Sequence, residues 1–191
     1  MSARSATVFS RMRPAAALLA LALAAPAAAA AEARIADVRV ALEGRRALVS
    51  FELADGFGAE LRDRIESGLP TGVVYELELF KDRKRWWDRS LDHTELEVVA
   101  MYNALTREYL VNFKLDGRLI ESRQVHDLSA LETAMTRIEK LPAFSLEGAP
   151  RDRRLLVRVR AELGSRTVLG FIPTLAVTDW AESAKFRPLP P

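Results

Sequence analysis

From Leu155 to Leu163, apolar Leu155, Val157, Val159, Ala161 and Leu163 alternate with Leu156, Arg158, Arg160 and Glu162. This period of two marks a strand with one buried face. The same rhythm runs from Val73 to Phe80, with Val73, Tyr75, Leu77 and Leu79 on one side and Val74, Glu76, Glu78 and Phe80 on the other. It resumes over Thr94 to Tyr102, at Tyr109, Val111 and Phe113, and from Leu119 to Val125, with turns at Asn103-Ala104-Leu105-Thr106 and Asp116-Gly117. Four strands are thus predicted to run as a meander between Val73 and Val125. Upstream, Ala36–Leu42 and Ala47–Leu53 read as a hairpin about Glu43-Gly44-Arg45. Downstream, Gly164-Ser165 is expected to turn the chain and Thr167–Phe171 to pair back.

Two stretches break to helical spacing. Phe57, Leu61 and Ile65 recur every four residues after Asp55, an N-cap residue type, and before Gly68 and Pro70, which stop the pattern; a short helix over 57–67 follows. Ser129 and Glu132 have capping-box spacing, and Leu131, Met135 and Ile138 share a face before Leu141-Pro142 ends the second helix. Leu146 to Arg153 reads as a polar loop. Seven to eight strands with two short helices and no βαβ rhythm define an α+β class, mainly antiparallel β-sheet or β-sandwich.

The first 31 residues change the compartment. Arg4, Arg11 and Arg13 precede the apolar run Pro14 to Ala25, and Pro26 precedes Ala27 to Ala31. That is the order of a signal peptide with a small-residue cleavage zone. We expect Sec-type export to the periplasm, cleavage after Ala31, a single domain over 32–184 and a loosely ordered tail over 185–191. An uncleaved anchor is the competing reading, weakened because alanine gains little in hydrocarbon. The chain has no cysteine, so lipoprotein attachment, disulfides, thiol catalysis and Cys-ligated metals are excluded. Cleavage removes three of 28 basic residues and leaves 25 against 26 acids, so the pI near 9.1 belongs largely to the leader and is no nucleic-acid footprint.

Several segments, in order, resemble one family: Gly68-Leu69-Pro70, Trp86-Trp87-Asp88, Tyr102-Asn103-Ala104-Leu105-Thr106-Arg107-Glu108-Tyr109, Leu141-Pro142 and Asp179-Trp180. On these the chain resembles the bacterial exported family termed domain of unknown function 4390. The resemblance implies a small exported protein of Gram-negative bacteria in a signalling context, and it carries over no catalytic residues.

Candidate chemistry is sparse. His93 and His126 each sit beside an aspartate, Asp92 and Asp127, but neighbours on a strand point to opposite faces, so neither pair is a ready relay, and both histidines read as surface or strand-end residues. No metal ligand set and no cofactor is indicated. Neither Ser67-Gly68 nor Gly164-Ser165 lies in a hydrolase elbow, and no glycine-rich phosphate loop occurs. Glu76 and Glu78 share a strand face; an acidic stripe answering arginines on a neighbouring strand explains them more simply than a catalytic carboxylate pair.

The sharpest local feature is Lys81, Arg83, Lys84, Arg85, Trp86, Trp87 and Arg89, cations interleaved with tryptophan that suit phosphate or anionic headgroups; an ordinary solvated strand end is the alternative. Arg151, Arg153, Arg154, Arg158 and Arg160 extend this patch if their strand lies in the same sheet, with Glu76, Glu78, Glu95 and Glu97 as their available partners. The leading expectation is a non-enzymatic periplasmic accessory module that contacts an envelope protein or an anionic membrane surface, and not nucleic acid. An enzyme assembled from dispersed acids and a histidine is the rival. The sequence sets no oligomeric state. The leader generates the first prediction: mass spectrometry of the envelope protein should find the mature N-terminus between Ala31 and Ala33, and an intact chain from Met1 would refute cleavage.

Overall fold

The computed structural model describes residues 32–82, 90–150, 153–168 and 172–188. Within them the chain runs β1 (Arg34–Glu43), β2 (Arg46–Ala54), α1 (Ala59–Glu66), β3 (Thr71–Lys81), β4 (Ser90–Asn103), β5 (Glu108–Leu115), β6 (Arg118–Val125), α2 (Leu128–Thr136), β7 (Arg137–Ser145), β8 (Leu155–Val168), β9 (Ile172–Val177) and β10 (Ala181–Glu182). The fold is α+β and mostly antiparallel. One three-stranded sheet has the order β1-β2-β7; a seven-stranded sheet has the order β10-β8-β3-β4-β5-β6, with β9 also paired to β8. The expected hairpin β1–β2 and the meander β3–β4–β5–β6 are both present.

Alternation places the core. Val73, Tyr75, Leu77 and Leu79 of β3, Leu96, Val98 and Ala100 of β4, and Val157, Val159 and Ala161 of β8 are buried. They join Val49, Phe51 and Leu53 of β2 and Ile138, Leu141 and Phe144 of β7 in one cluster, to which α1 adds Ile65 and α2 adds Leu131 and Met135. Phe51 and Tyr75 meet edge to face with centroids 5.0 Å apart, one contact bridging the two sheets. Two buried polar groups of this core are satisfied: Tyr75 Oη donates to the Met135 carbonyl at 2.7 Å, and Thr94 Oγ1 donates to the Ala143 carbonyl at 2.9 Å. Burial drives the Tyr75 phenol far above its usual pKa, so it stays a neutral donor.

The structure corrects several local expectations. Gly58, not Asp55, is the N-cap of α1; Asp55 lies in the left-handed region at φ 58° and pairs with Arg34. The N-cap of α2 is Asp127, whose carboxylate accepts from the Ala130 amide at 2.8 Å, two residues before the expected Ser129. That helix ends at Thr136 rather than at Leu141-Pro142, because the next residues leave it as the third strand of the small sheet. Ile138 then lies opposite Phe51 and Leu141 opposite Val49. Pro142 is tolerated since β7 is an edge strand, where a missing amide need not break a ladder.

Leu146, expected in a polar loop, is buried, and its amide donates to the Arg45 carbonyl at 2.7 Å. Gly164-Ser165 is not a turn: β8 continues through it with a shift of register against β9, the local signature of a bulge. After β10, Phe186 pairs with Leu155, their backbones exchanging two hydrogen bonds of 2.8 Å. Thr167 and Val168, expected in the strand that pairs back, belong to β8, and the returning strand is β9, while β7 and β10 were not among the strands expected.

Val157 and Val159 are buried while Arg158 and Arg160 occupy the other face, as the period of two requires. Val157→Asp should therefore cost on the order of several kcal/mol by burying an unpaired charge, read as collapse of the thermal transition. An unchanged melting curve would place the strand the wrong way round.

Candidate binding face

Because β3, β4, β5 and β8 are neighbours, their outward residues line up in rows across the large sheet. Arg158, Glu78 and His93 form one row; Arg160, Glu76 and Glu95 form the next; Glu162, Val74, Glu97 and Lys114 form a third. Cross-strand neighbours lie close enough for their charges to pair. Arg158 Nε donates to Glu78 Oε2 at 2.6 Å, and Arg160 Nη2 donates to Glu76 Oε1 and Oε2 at 2.7 and 2.8 Å. Lys114 Nζ donates to Glu97 at 2.9 Å. The two arginines thus find the partners expected of Glu76 and Glu78, whereas Glu97 is taken by Lys114.

Trp180 covers this array. Its ring lies 4.3 Å from the Arg158 guanidinium and 4.6 Å from that of Arg160, and Phe80 lies 4.2 Å from Arg158. Arg158 is therefore held by two aromatic faces and a carboxylate at once. Trp180 is positioned by the segment around β10. Thr178 Oγ1 accepts from the Ala161 amide at 2.9 Å, Ser183 Oγ accepts from the Val157 amide at 3.0 Å, and Ala181 lies opposite Val159. Hydroxyls here stand in for the backbone carbonyls of a regular ladder.

The electrostatics are those of crowded carboxylates around too few cations. Glu162 is pushed above the ordinary glutamate value by its hydrogen bond with Glu76, then by burial and the charges of Glu76 and Glu95, against the opposing pull of Arg160. For Glu76 burial raises the carboxyl, but hydrogen bonds from Arg160 and Glu162 and the positive charges of Arg160 and His93 prevail and hold it low. The two carboxyls are thus driven apart, Glu162 the weaker acid and Glu76 the stronger.

The sequence-predicted site is reached only at its flank. Lys81 ends β3 opposite Leu155, and the next residue, Asp82, donates its amide to the Arg154 carbonyl at 2.8 Å and accepts from Lys185 Nζ at 2.9 Å. Arg83, Lys84, Arg85, Trp86, Trp87 and Arg89 lie outside the described residues, as does Arg151. Both histidines are exposed. His93 stands opposite Glu78, and His126 Nδ1 lies 3.4 Å from Glu108. Asp92 accepts from the amide of His93, and Asp127 caps α2, so neither aspartate serves the histidine beside it. In the sequence Trp180 stands out only as part of a family motif, since no local pattern pairs it with arginines some twenty residues upstream.

Other motif segments have structural roles. Gly68 closes α1 at φ 82°, and a Cβ there would lie 3.7 Å from the Tyr102 carbonyl. Asn103 Oδ1 accepts from the Leu105 and Thr106 amides in the β4–β5 turn, and the rings of Tyr102 and Tyr109 pack with centroids 4.9 Å apart.

These features define a two-sheet α+β domain with an ordered, charged outer face. The chain matches the family described as domain of unknown function DUF4390 over residues 30–183, and it belongs to that family. Neither the curated proteins nor the solved structures give a match to it.

Glu162→Gln tests the raised carboxyl of Glu162. A raised carboxyl contributes stability that is full below the ordinary value of 4.5 and is lost as pH rises through the folded value. Glutamine keeps a donor for Glu76 without that loss, so the variant should gain stability relative to wild type between acid and neutral pH, read from paired thermal melts. A stability difference independent of pH would rule out a raised Glu162 carboxyl.

Proposed function

We propose that this protein is an exported, non-enzymatic binding module of the bacterial envelope, matured by removal of residues 1–31, whose contact surface is the outer face around Trp180. The observation that carries the reading is the charge balance of that face. Glu76, Glu78, Glu95, Glu97, Glu162 and Glu182 stand against Arg158, Arg160 and Lys114, with a half-exposed tryptophan among them. Such a face repels an anionic membrane and suits a protein partner that brings basic groups. The aromatic supplies desolvated contact area of the kind that dominates binding energy. A sensor or signalling protein of the envelope is the partner class that the family resemblance implies. The basic segment Lys81–Arg89 adds a second contact of opposite sign.

One observation favours the enzyme reading: Glu76 and Glu162 both lie against Arg160, and His93 is close enough for its charge to act on Glu76. A hydrolytic turnover abolished by Glu162→Gln in a folded protein would support that rival over binding.

A photo-crosslinking amino acid at Glu182 should capture one defined envelope protein, and Trp180→Ala should remove the adduct; the same probe at Glu43, on the small sheet, should give none. Neutralising Lys81, Arg83 and Lys84 together should weaken capture while shifting stability by no more than about half a kcal/mol per residue. Equal capture from both probe positions, or capture indifferent to Trp180, would overturn the assignment of this face.

A further inference from the structure

β6 closes the large sheet on the side away from β10, and among the described residues only β5 pairs with it. Seven of its eight residues are exposed, including Leu119 at 61% and Ile120 at 49%. An edge of this kind offers a row of unpaired amides and carbonyls to any extended chain. Both edges of the small sheet are interrupted. β7 carries Pro142, Lys140 at φ 51° and two shifts of register, and β1 has Asp37 at φ 53° beside a shift. β6 has one shift of its own, between Leu119 and Glu121, and beyond it holds register with β5 from Glu121 to Val125, with neither glycine nor proline.

The charges on β6 select what can pair there. Glu121 lies opposite Phe113 and Arg123 opposite Val111, so both sit on the sheet's inner face, and Arg123 stacks on Phe113 at 5.1 Å while pairing with Glu121 at 2.7 Å. Inward charges oppose addition of an ordinary apolar strand. They do not oppose a second β6. If two copies run antiparallel with Ser122 opposite Ser122, Glu121 of each faces Arg123 of the other, and Ile120 faces Gln124.

We propose that this chain forms a two-fold dimer by β6–β6 pairing about Ser122, joining two seven-stranded sheets into one. The pairing is isologous, so it consumes both free edges and closes without propagating. It also covers the exposed Ile120 and gives each inward charge an intermolecular partner in addition to its own neighbour.

Self-complementarity gives a test that no other interface passes. Mature wild-type protein should show twice the monomer mass in sedimentation or light scattering. Glu121→Arg places four arginines around the two-fold axis and Arg123→Glu places four glutamates, so each variant alone should dimerise more weakly by roughly a hundredfold or more. Mixed one to one, the two variants complement at both contacts and should recover the dimer as a heterodimer, which also shows that each is folded. A wild type that stays monomeric to its solubility limit, single variants that dimerise as well as wild type, or a mixture that stays monomeric would each overturn the proposal.

Discussion

The register between β3 and β8 is the constraint on which the rest of the structure depends. It sets Glu76 opposite Arg160, Glu78 opposite Arg158, Tyr75 opposite Ala161 and Leu77 opposite Val159 in a single alignment. Sliding either strand by one residue would turn arginines or glutamates into the core and valines out to water. Two independent forces hold it. The inward row is buried within the main hydrophobic cluster, and the outward row pairs acid with base at hydrogen-bonding distance. The outward pairs are part-exposed, so their contribution to stability is modest and their larger role is to reject the slipped alternative.

From that register the docking of the C-terminal segment follows. β8 presents the amides of Val157 and Ala161 to hydroxyls of Ser183 and Thr178, and its outward arginines form the surface on which Trp180 lies. The bridge from Phe186 to Leu155 ends the contact. The same arginines therefore align the central strands and hold down the segment around β10. A substitution at Arg158 acts on both, which is why Trp180, rather than Arg158, is the position that separates the proposed contact from alignment.

What the sequence revealed follows the physical range of each interaction. Period-two strands were legible because alternation is local, and the Glu76–Glu78 stripe was read with its arginine answer because both strands are regular. The switch from α2 to β7 was not. Leu131, Met135 and Ile138 continue a helical spacing across the boundary, while the buried Ile138, Leu141, Ala143 and Phe144 follow no single period because β7 shifts register against β2. N-caps were misplaced by two or three residues for a related reason: Asp127 and Ser129 are both capping types, and only the backbone shows which one meets an amide. The arginine–tryptophan contact had no sequence signal because it joins segments that meet only through tertiary structure.

Charge is distributed unevenly on this near-neutral chain. With 25 cations against 26 acids after residue 31, an acid surplus on the outer face requires a basic surplus elsewhere, and the sequence concentrates it in Lys81, Arg83, Lys84, Arg85 and Arg89. Opposite signs on one small domain orient it in the field of a partner before contact, an effect that fades once salt screens charges beyond about 8–10 Å. The strand order then keeps the two proposed interfaces apart. Trp180 and β10 lie at one edge of the seven-stranded sheet and β6 at the other, separated by β8, β3, β4 and β5. Pairing through β6 leaves the Trp180 faces free at the far ends of the joined sheet, so one partner on each face brings two partner molecules together. A dimer of this geometry thus converts a modest single contact into a bivalent one, gaining avidity without any new residue at the site.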